Sequence, residues 1–114
     1  MNFQIYITRT AEQDLNEAAD YIEFVLKNPA AADNLLNLAS EKINALSGNP
    51  KIYPIVEDPV LHSWGIRFVA VNNFLAFYTI NENTNMIYII RFLYVKRDWN
   101  NILRQWTSHC LEKM

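Results

Sequence analysis

Along residues 3–9, "FQIYITR", apolar and polar positions alternate. Phe3, Ile5 and Ile7 fall on one side, and Gln4, Tyr6 and Thr8 on the other. Period two with β-branched content predicts a strand. The spacing then changes. Leu15, Ala18, Ala19, Ile22, Val25 and Leu26 recur at helical intervals, which predicts a helix from about Ala11 to Lys27. Its start reads as a capping box. The Thr10 oxygen takes the amide of Gln13, and the glutamine side chain reaches back. Glu12 and Asp14 place negative charge in the first turn, where the helix dipole favours it.

"KNPAA" ends this helix and starts another. Asn28 suits the cap, and Pro29 suits the first helical position, where its missing donor costs nothing. Ala32, Leu35, Leu36, Ala39, Ile43 and Leu46 form the second apolar stripe. "SGNP" stops it, with Gly48 as the left-handed residue and Pro50 beyond. So short a joint predicts an antiparallel helical hairpin.

Residues 49–64, "NPKIYPIVEDPVLHSW", hold three of the four prolines and predict a loop, with "IYPIV" extended against the core. "GIRFVAVNNFLAFYTI" reads as two strands around Asn72-Asn73, since adjacent asparagines tolerate positive φ. "NENTN" is the next turn. "MIYIIRFLYV" is the longest strand, apolar on both faces, and so a central one covered on each side. "RDWNNILRQW" opens a short helix, with Asp98 as its cap and Trp99, Ile102, Leu103 and Trp106 as its buried edge. The class is therefore α+β: an N-terminal strand, a helical hairpin, a three-stranded antiparallel meander and a short C-terminal helix. The hairpin packs on one sheet face to bury its stripes.

Composition narrows the function classes. The chain has 114 residues, fitting a single domain over 1–114. It is 51% hydrophobic and 19% charged, which reads as globular. A net charge of −2 lacks the basicity of a protein that coats nucleic acid. One cysteine, Cys110, excludes an internal disulfide framework and a CxxC metal pair, and suits a reducing compartment. The first residues lack the basic head and apolar run of a signal peptide, and no apolar run approaches about eighteen residues. The expectation is a cytoplasmic protein without a membrane span. His62 and His109 sit in no nucleophile or metal motif, and two glycines are too few for a phosphate-cradling loop. Neither a cofactor nor a metal is expected.

Taken in order, the first strand, "AEQDLNEAADYIEFVLKNPAAADNLLNLASEKINAL", "NPKIYP", "GIRFVAVNNFLAFYTI" and "IIRFLYVKRDWNNIL" resemble the RelE/ParE superfamily of type II toxin–antitoxin toxins, often labelled plasmid stabilization proteins. D-L-x-x-x-x-x-Y-I, N-P-x-A-A, G-x-R and R-x-L-Y-x-x-R-D carry the likeness over about residues 3–104. The final residues are an extension outside it. The resemblance implies a growth-arresting toxin neutralised by a cognate antitoxin, which lays an extended segment or helix across it. RelE-like members are metal-independent endoribonucleases that cleave messenger RNA in the ribosomal A site. ParE-like members are gyrase inhibitors and have lost the nuclease residues. A decayed toxin that only binds its antitoxin is the alternative from a different class.

Metal-free RNA cleavage needs a base for the 2′-hydroxyl, cations for the phosphate and an acid for the leaving oxygen. The resemblance places Arg67 at the phosphate, and Arg91 and Tyr94 complete the catalytic candidates. Lys51, Lys96 and Arg97 are candidate target-binding cations. Arg91 shares the parity of Ile87, Ile89, Leu93 and Val95, so an open sheet face would gather Arg67 and Arg91 in one solvated hollow. The competing reading gives Arg91 an ion pair with Glu57, Asp58, Glu82 or Asp98. Tyr94 reads equally as a half-buried aromatic with its hydroxyl at the rim, and Lys96 and Arg97 as a solvated strand end. An antitoxin groove predicts exposed apolar residues, with Trp64, Phe77, Tyr88 and Trp106 as candidates.

Overall fold

The computed structural model describes the backbone of residues 2–112 and the side chains up to residue 105. Trp106, His109 and Cys110 therefore lie outside the described side chains. Strand β1 (Gln4–Ile7) leads into helix α1 (Arg9–Asp20), which continues as a π-helical turn (Tyr21–Val25). Helix α2 (Pro29–Ala45) and a short helix α3 (Pro59–Ser63) follow. Then come β2 (Arg67–Val71), β3 (Phe74–Asn81), β4 (Met86–Tyr94) and α4 (Trp99–Glu112). No described helix is long and apolar enough to cross a membrane.

The cap of α1 sits earlier than the capping box predicts. Thr8 donates its N–H to Ile89 O and so finishes the β1 ladder, and the same residue starts the helix. Its Oγ1 accepts from Ala11 N at 3.2 Å and donates to Ile90 O at 3.2 Å. Gln13 reaches Glu17 instead of turning back. The α2 start is as predicted: Asn28 Oδ1 accepts from Ala31 N, and Pro29 opens the helix. Its end differs. Gly48 is not left-handed; Leu46 and Ser47 return their N–H groups to Ile43 and Asn44 in a tightened last turn, which satisfies the carbonyls without one. The proline-rich loop also contains α3, capped by Asp58, whose carboxylate takes the N–H of Val60 and Leu61.

Strand order is β1-β4-β3-β2, with β1 parallel to β4 and the remaining three an antiparallel meander. Asn72 and Asn85 hold the two turns at φ 54° and 53°, where asparagine is tolerated. One cluster of the core joins α1 and α2 to one face, through Ala11, Leu35, Ala39 and Ile43 against Val69, Val71, Tyr78, Ile87 and Ile89. A second cluster joins Val56, Leu61, Trp99, Ile102 and Leu103 to Phe77, Ile90 and Leu93 on the other. The hairpin thus covers one face as predicted, but the opposite face is sealed by α3 and α4 rather than open.

Register explains a second departure. Phe77 pairs with Arg91 and Tyr78 with Ile89, so Ile90 is an extra residue, a β-bulge. The bulge reverses the alternation. Phe92 joins Ile87 and Ile89 beneath the helical hairpin, while Leu93 joins Ile90 on the other face. The parity that grouped Arg91 with Ile87, Ile89 and Leu93 therefore breaks at the bulge.

Candidate functional site

Past Ile7, β1 ends and α1 takes its place beside β4. Asp14 on α1 fills the position of the missing strand: its Oδ2 accepts the N–H of Phe92 at 3.1 Å. The same carboxylate takes Arg91 through both oxygens, Nε to Oδ2 at 2.7 Å and Nη2 to Oδ1 at 3.0 Å. The two side chains are 15% and 10% exposed, so the charge is mostly removed from water and matched in a bidentate pair. None of Glu57, Asp58, Glu82 or Asp98 is its partner. Asp58 serves Asn100 and Arg104, Glu82 pairs with Lys51, and the Asp98 carboxylate accepts from Asn101.

Arg67 points elsewhere. It stands opposite Tyr78, and its Nη1 donates to Tyr53 O at 2.6 Å, with a longer contact to Lys51 O at 3.4 Å. Tyr78, fully buried, donates its hydroxyl to Pro50 O at 2.6 Å. Burial pushes this phenol up to about 12, against the opposing pull of the Arg67 charge. Together the two side chains fasten residues 50–53 to the sheet. Lys51 pairs with Glu82, whose carboxyl is lowered by that hydrogen bond and charge. Both are exposed, so the pair contributes little to stability.

The expected hollow with Arg67 and Arg91 side by side is therefore not formed. Arg91 is drawn toward α1 past one side of the sheet, and Arg67 toward residues 51–53 past the other. Arg67 and Arg91 flank the middle of β3, opposite Tyr78 and Phe77, whereas Lys51 and Tyr94 divide between its ends. Glu82, and Lys51 with it, follows the Asn81 end, whereas Tyr94 pairs with Phe74 at the other end. At the rise of a β-strand these ends lie roughly 20 Å apart.

What the structure brings together instead is a hollow of about 810 Å³ between α1, the π-turn and the Phe74 end of the meander. Ala18, Tyr21, Leu26, Phe74 and Phe92 supply apolar lining, and Asp14, Glu17, Tyr94 and Arg97 stand among them. Phe74 stacks on Phe92 with centroids 5.1 Å apart and meets Tyr94 edge-on at 5.6 Å. Tyr94 and Arg97 thus share a site as sequence candidates. Lys96 and Arg97 are exposed, and neither belongs to an ion pair among the described residues.

The exposed apolar surface is not where the sequence places it. Phe77 is fully buried, and Trp64 and Tyr88 pack on the second core cluster. The largest exposed group is Tyr21, Phe24, Val25 and Leu26 of the π-turn, 54–67% accessible, with Tyr94 and Val95 beside the hollow; Tyr6, Ile7, Ile52 and Val60 are exposed elsewhere. Val25 and Leu26 leave the helical stripe because the turn is wider: Leu26 N reaches Tyr21 O, and Asn28 N reaches Ile22 O. The run "YIEFVL" carries the signal, since one helix face cannot bury that many neighbours. Asp14 carries no such signal, because only the bulge and the α1 placement bring it to Arg91. Among the described residues, no group of three His, Cys, Asp or Glu side chains is placed to hold a metal ion.

A family model for the ParE toxin of the parDE type II toxin–antitoxin system matches residues 5–99. Among solved structures, a chain of a chromosomal ParDE system from P. aeruginosa is similar with a TM-score of 0.67 and 23% identity, over 82% of this chain and 97% of that one. A chain of the RelBE2 toxin–antitoxin complex from Mycobacterium tuberculosis is similar with a TM-score of 0.57 and 16% identity, over 82% of this chain and 99% of that one. No curated protein matches the sequence.

Proposed function

Because the chain belongs to the ParE toxin family of type II toxin–antitoxin systems, we propose that it is the toxin of such a pair, silenced by a small antitoxin, and that it arrests growth by inhibiting DNA gyrase rather than by cutting RNA. The observation that carries the choice is the engagement of both strand guanidiniums. Arg91 is held in a bidentate pair by Asp14, and Arg67 is turned by its Nη1 to the carbonyls of residues 51 and 53, so the two guanidiniums do not converge on one phosphate. A nuclease needs its cations preorganised at the reacting phosphate. The free cations Lys96 and Arg97, next to Tyr94, are assigned to the target surface. The hollow beside the π-turn is assigned to the antitoxin, because exposed apolar lining at this density favours a protein partner.

Induced expression without antitoxin tests the reading. The expected result is growth arrest with relaxed or broken plasmid DNA and intact transcripts. Lys96→Ala with Arg97→Ala should raise the inducer needed for arrest at least tenfold. Cleaved transcripts with normal supercoiling would overturn it in favour of the endoribonuclease. Unimpaired growth would leave only the antitoxin-binding module.

A further inference from the structure

Asp14, Ala18 and Tyr21 line the hollow at helical spacing, and a regular helix would bring Val25 next. The wider π-turn delays the phase by a residue, so Leu26 lines the hollow instead. Phe24 and Val25 are left outside as a ridge along its rim, and Phe24, 67% accessible, is the most exposed large apolar side chain among the described residues. Tyr21 and Leu26 belong to both features, so ridge and hollow adjoin on one side of the molecule. Lys27 closes the ridge at φ 55°, a left-handed conformation that disfavours a residue with a β-carbon. The joint is therefore wound at some cost to local stability, with its apolar side chains turned to solvent.

Charge follows the same division. Asp20 and Lys27 stand exposed at the two ends of the ridge, and Glu17 and Arg97 on the walls of the hollow. None of these four has an ion-pair partner among the described residues, although Glu17 accepts the side-chain amide of Gln13. Asp14, the remaining charge of the hollow, is consumed by Arg91. The ridge thus offers acid, apolar, base, and the hollow offers base, apolar, acid. Two copies related by a two-fold axis would present each ridge to the other's hollow, the self-complementarity that an isologous contact requires.

We infer that a second copy of this chain occupies the hollow when no other partner does, the Phe24 ridge of each copy entering the hollow of the other, with Lys27 against the partner's Glu17 and Asp20 against the partner's Arg97. Burial of the ridge supplies the attraction, and the two opposed charge pairs fix the register. The contact is a handful of side chains rather than a broad interface, so the pair is weak and depends on concentration. The same hollow is assigned above to the antitoxin, so antitoxin and second copy exclude each other. That exclusion rests on the toxin–antitoxin reading; the pair itself does not.

Equilibrium sedimentation of the full chain without antitoxin reads the pair. A dimer is expected at about 100 μM that dissociates on dilution to about 1 μM, the behaviour of a small transient interface. Phe24→Ser, an exposed replacement outside the core, should raise the dimer dissociation constant at least tenfold with an unchanged circular dichroism spectrum. Glu17→Lys and Lys27→Glu should each weaken the pair, and the chain carrying both should recover it, because the reversed charges again oppose each other across the axis. A chain that stays monomeric at the higher concentration overturns the inference. So does a dimer indifferent to Phe24→Ser, or a double reversal no tighter than the single ones. Zero-length carbodiimide coupling should join Lys27 of one copy to Glu17 of the other, and the product of the neighbouring reading frame should abolish that cross-link. If this product binds and the cross-link persists, the exclusion fails. If it does not bind, the toxin–antitoxin reading fails, while sedimentation still decides the pair.

Discussion

Asp14 holds Arg91 through both carboxylate oxygens while accepting the N–H of Phe92, so one side chain satisfies a charge and a strand edge together. Removing it leaves a largely buried guanidinium and a main-chain donor without their acceptor. Asp14→Ala should therefore destabilise the protein by about 3–5 kcal/mol, as urea denaturation would measure. Arg91→Ala should cost less, because Asp14 keeps the Phe92 amide and borders the hollow. A smaller loss for Asp14→Ala than for Arg91→Ala would contradict this account. The consequence for function is practical. Loss of growth arrest in an Arg91 variant is informative only at matched levels of folded protein. At this scale the sequence announces the charge but not its partner. Arg91 stands out inside an apolar run, yet Asp14 lies 77 residues away and reads as a first-turn acid favouring the helix dipole. Only the inserted Ile90 aims Arg91 away from the expected face, and a period-two reading has no means of counting a bulge.

Elements were more legible than contacts. The Asn28-Pro29 joint, the Asn72-Asn73 turn and the twice-apolar β4 all follow from local chemistry, and each forms where the pattern places it. The π-turn does not follow, because α and π windings share the same short-range apolar spacing until the extra residue shifts the phase. The α3 helix was hidden by its prolines, although Asp58-Pro59 is itself a cap followed by a favoured first residue. Asp58 also binds Asn100 and Arg104, clasping α4 over the second sheet face. Burial alone would raise this carboxyl, but hydrogen bonds from Asn100, Arg104, Leu61 and Val60 outweigh it and bring the group from 3.8 to about 2. The clasp is thus complete above the ordinary carboxylate range and is lost as pH falls from near 4 toward 2. Thermal unfolding of Asp58→Asn should show a lower midpoint than the parent at pH 7, with the gap closing as the pH approaches 2. A gap independent of pH would mean that the carboxylate charge is not what fastens α4.

For the molecule as a whole, both sheet faces are consumed by core packing, so partners are left with the rim. The hollow between the π-turn and Tyr94, and the ridge beside it, lie on that rim. Their exposed apolar side chains are only partly withdrawn from water on folding, so each contributes less to the isolated fold than a core residue does. Tyr21→Ser and Leu26→Ser, each more than half accessible, should lower stability by no more than about 1 kcal/mol, and Tyr94→Ser, 37% accessible and edge-on to Phe74, by about 1–2 kcal/mol. A variant combining the three should lose at least thirtyfold in antitoxin affinity, as expected of aromatic and aliphatic anchors at the centre of an interface. Linkage gives a second readout. Antitoxin at a hundred times its Kd stabilises the parent toxin by about 2.7 kcal/mol, and at that concentration the variant should retain only part of this gain. Calorimetric titration and melting with and without antitoxin separate the two effects. A variant that melts like the parent and binds antitoxin equally well would remove the hollow from the interface. A variant that no longer folds would show that these side chains, despite their exposure, belong to the core.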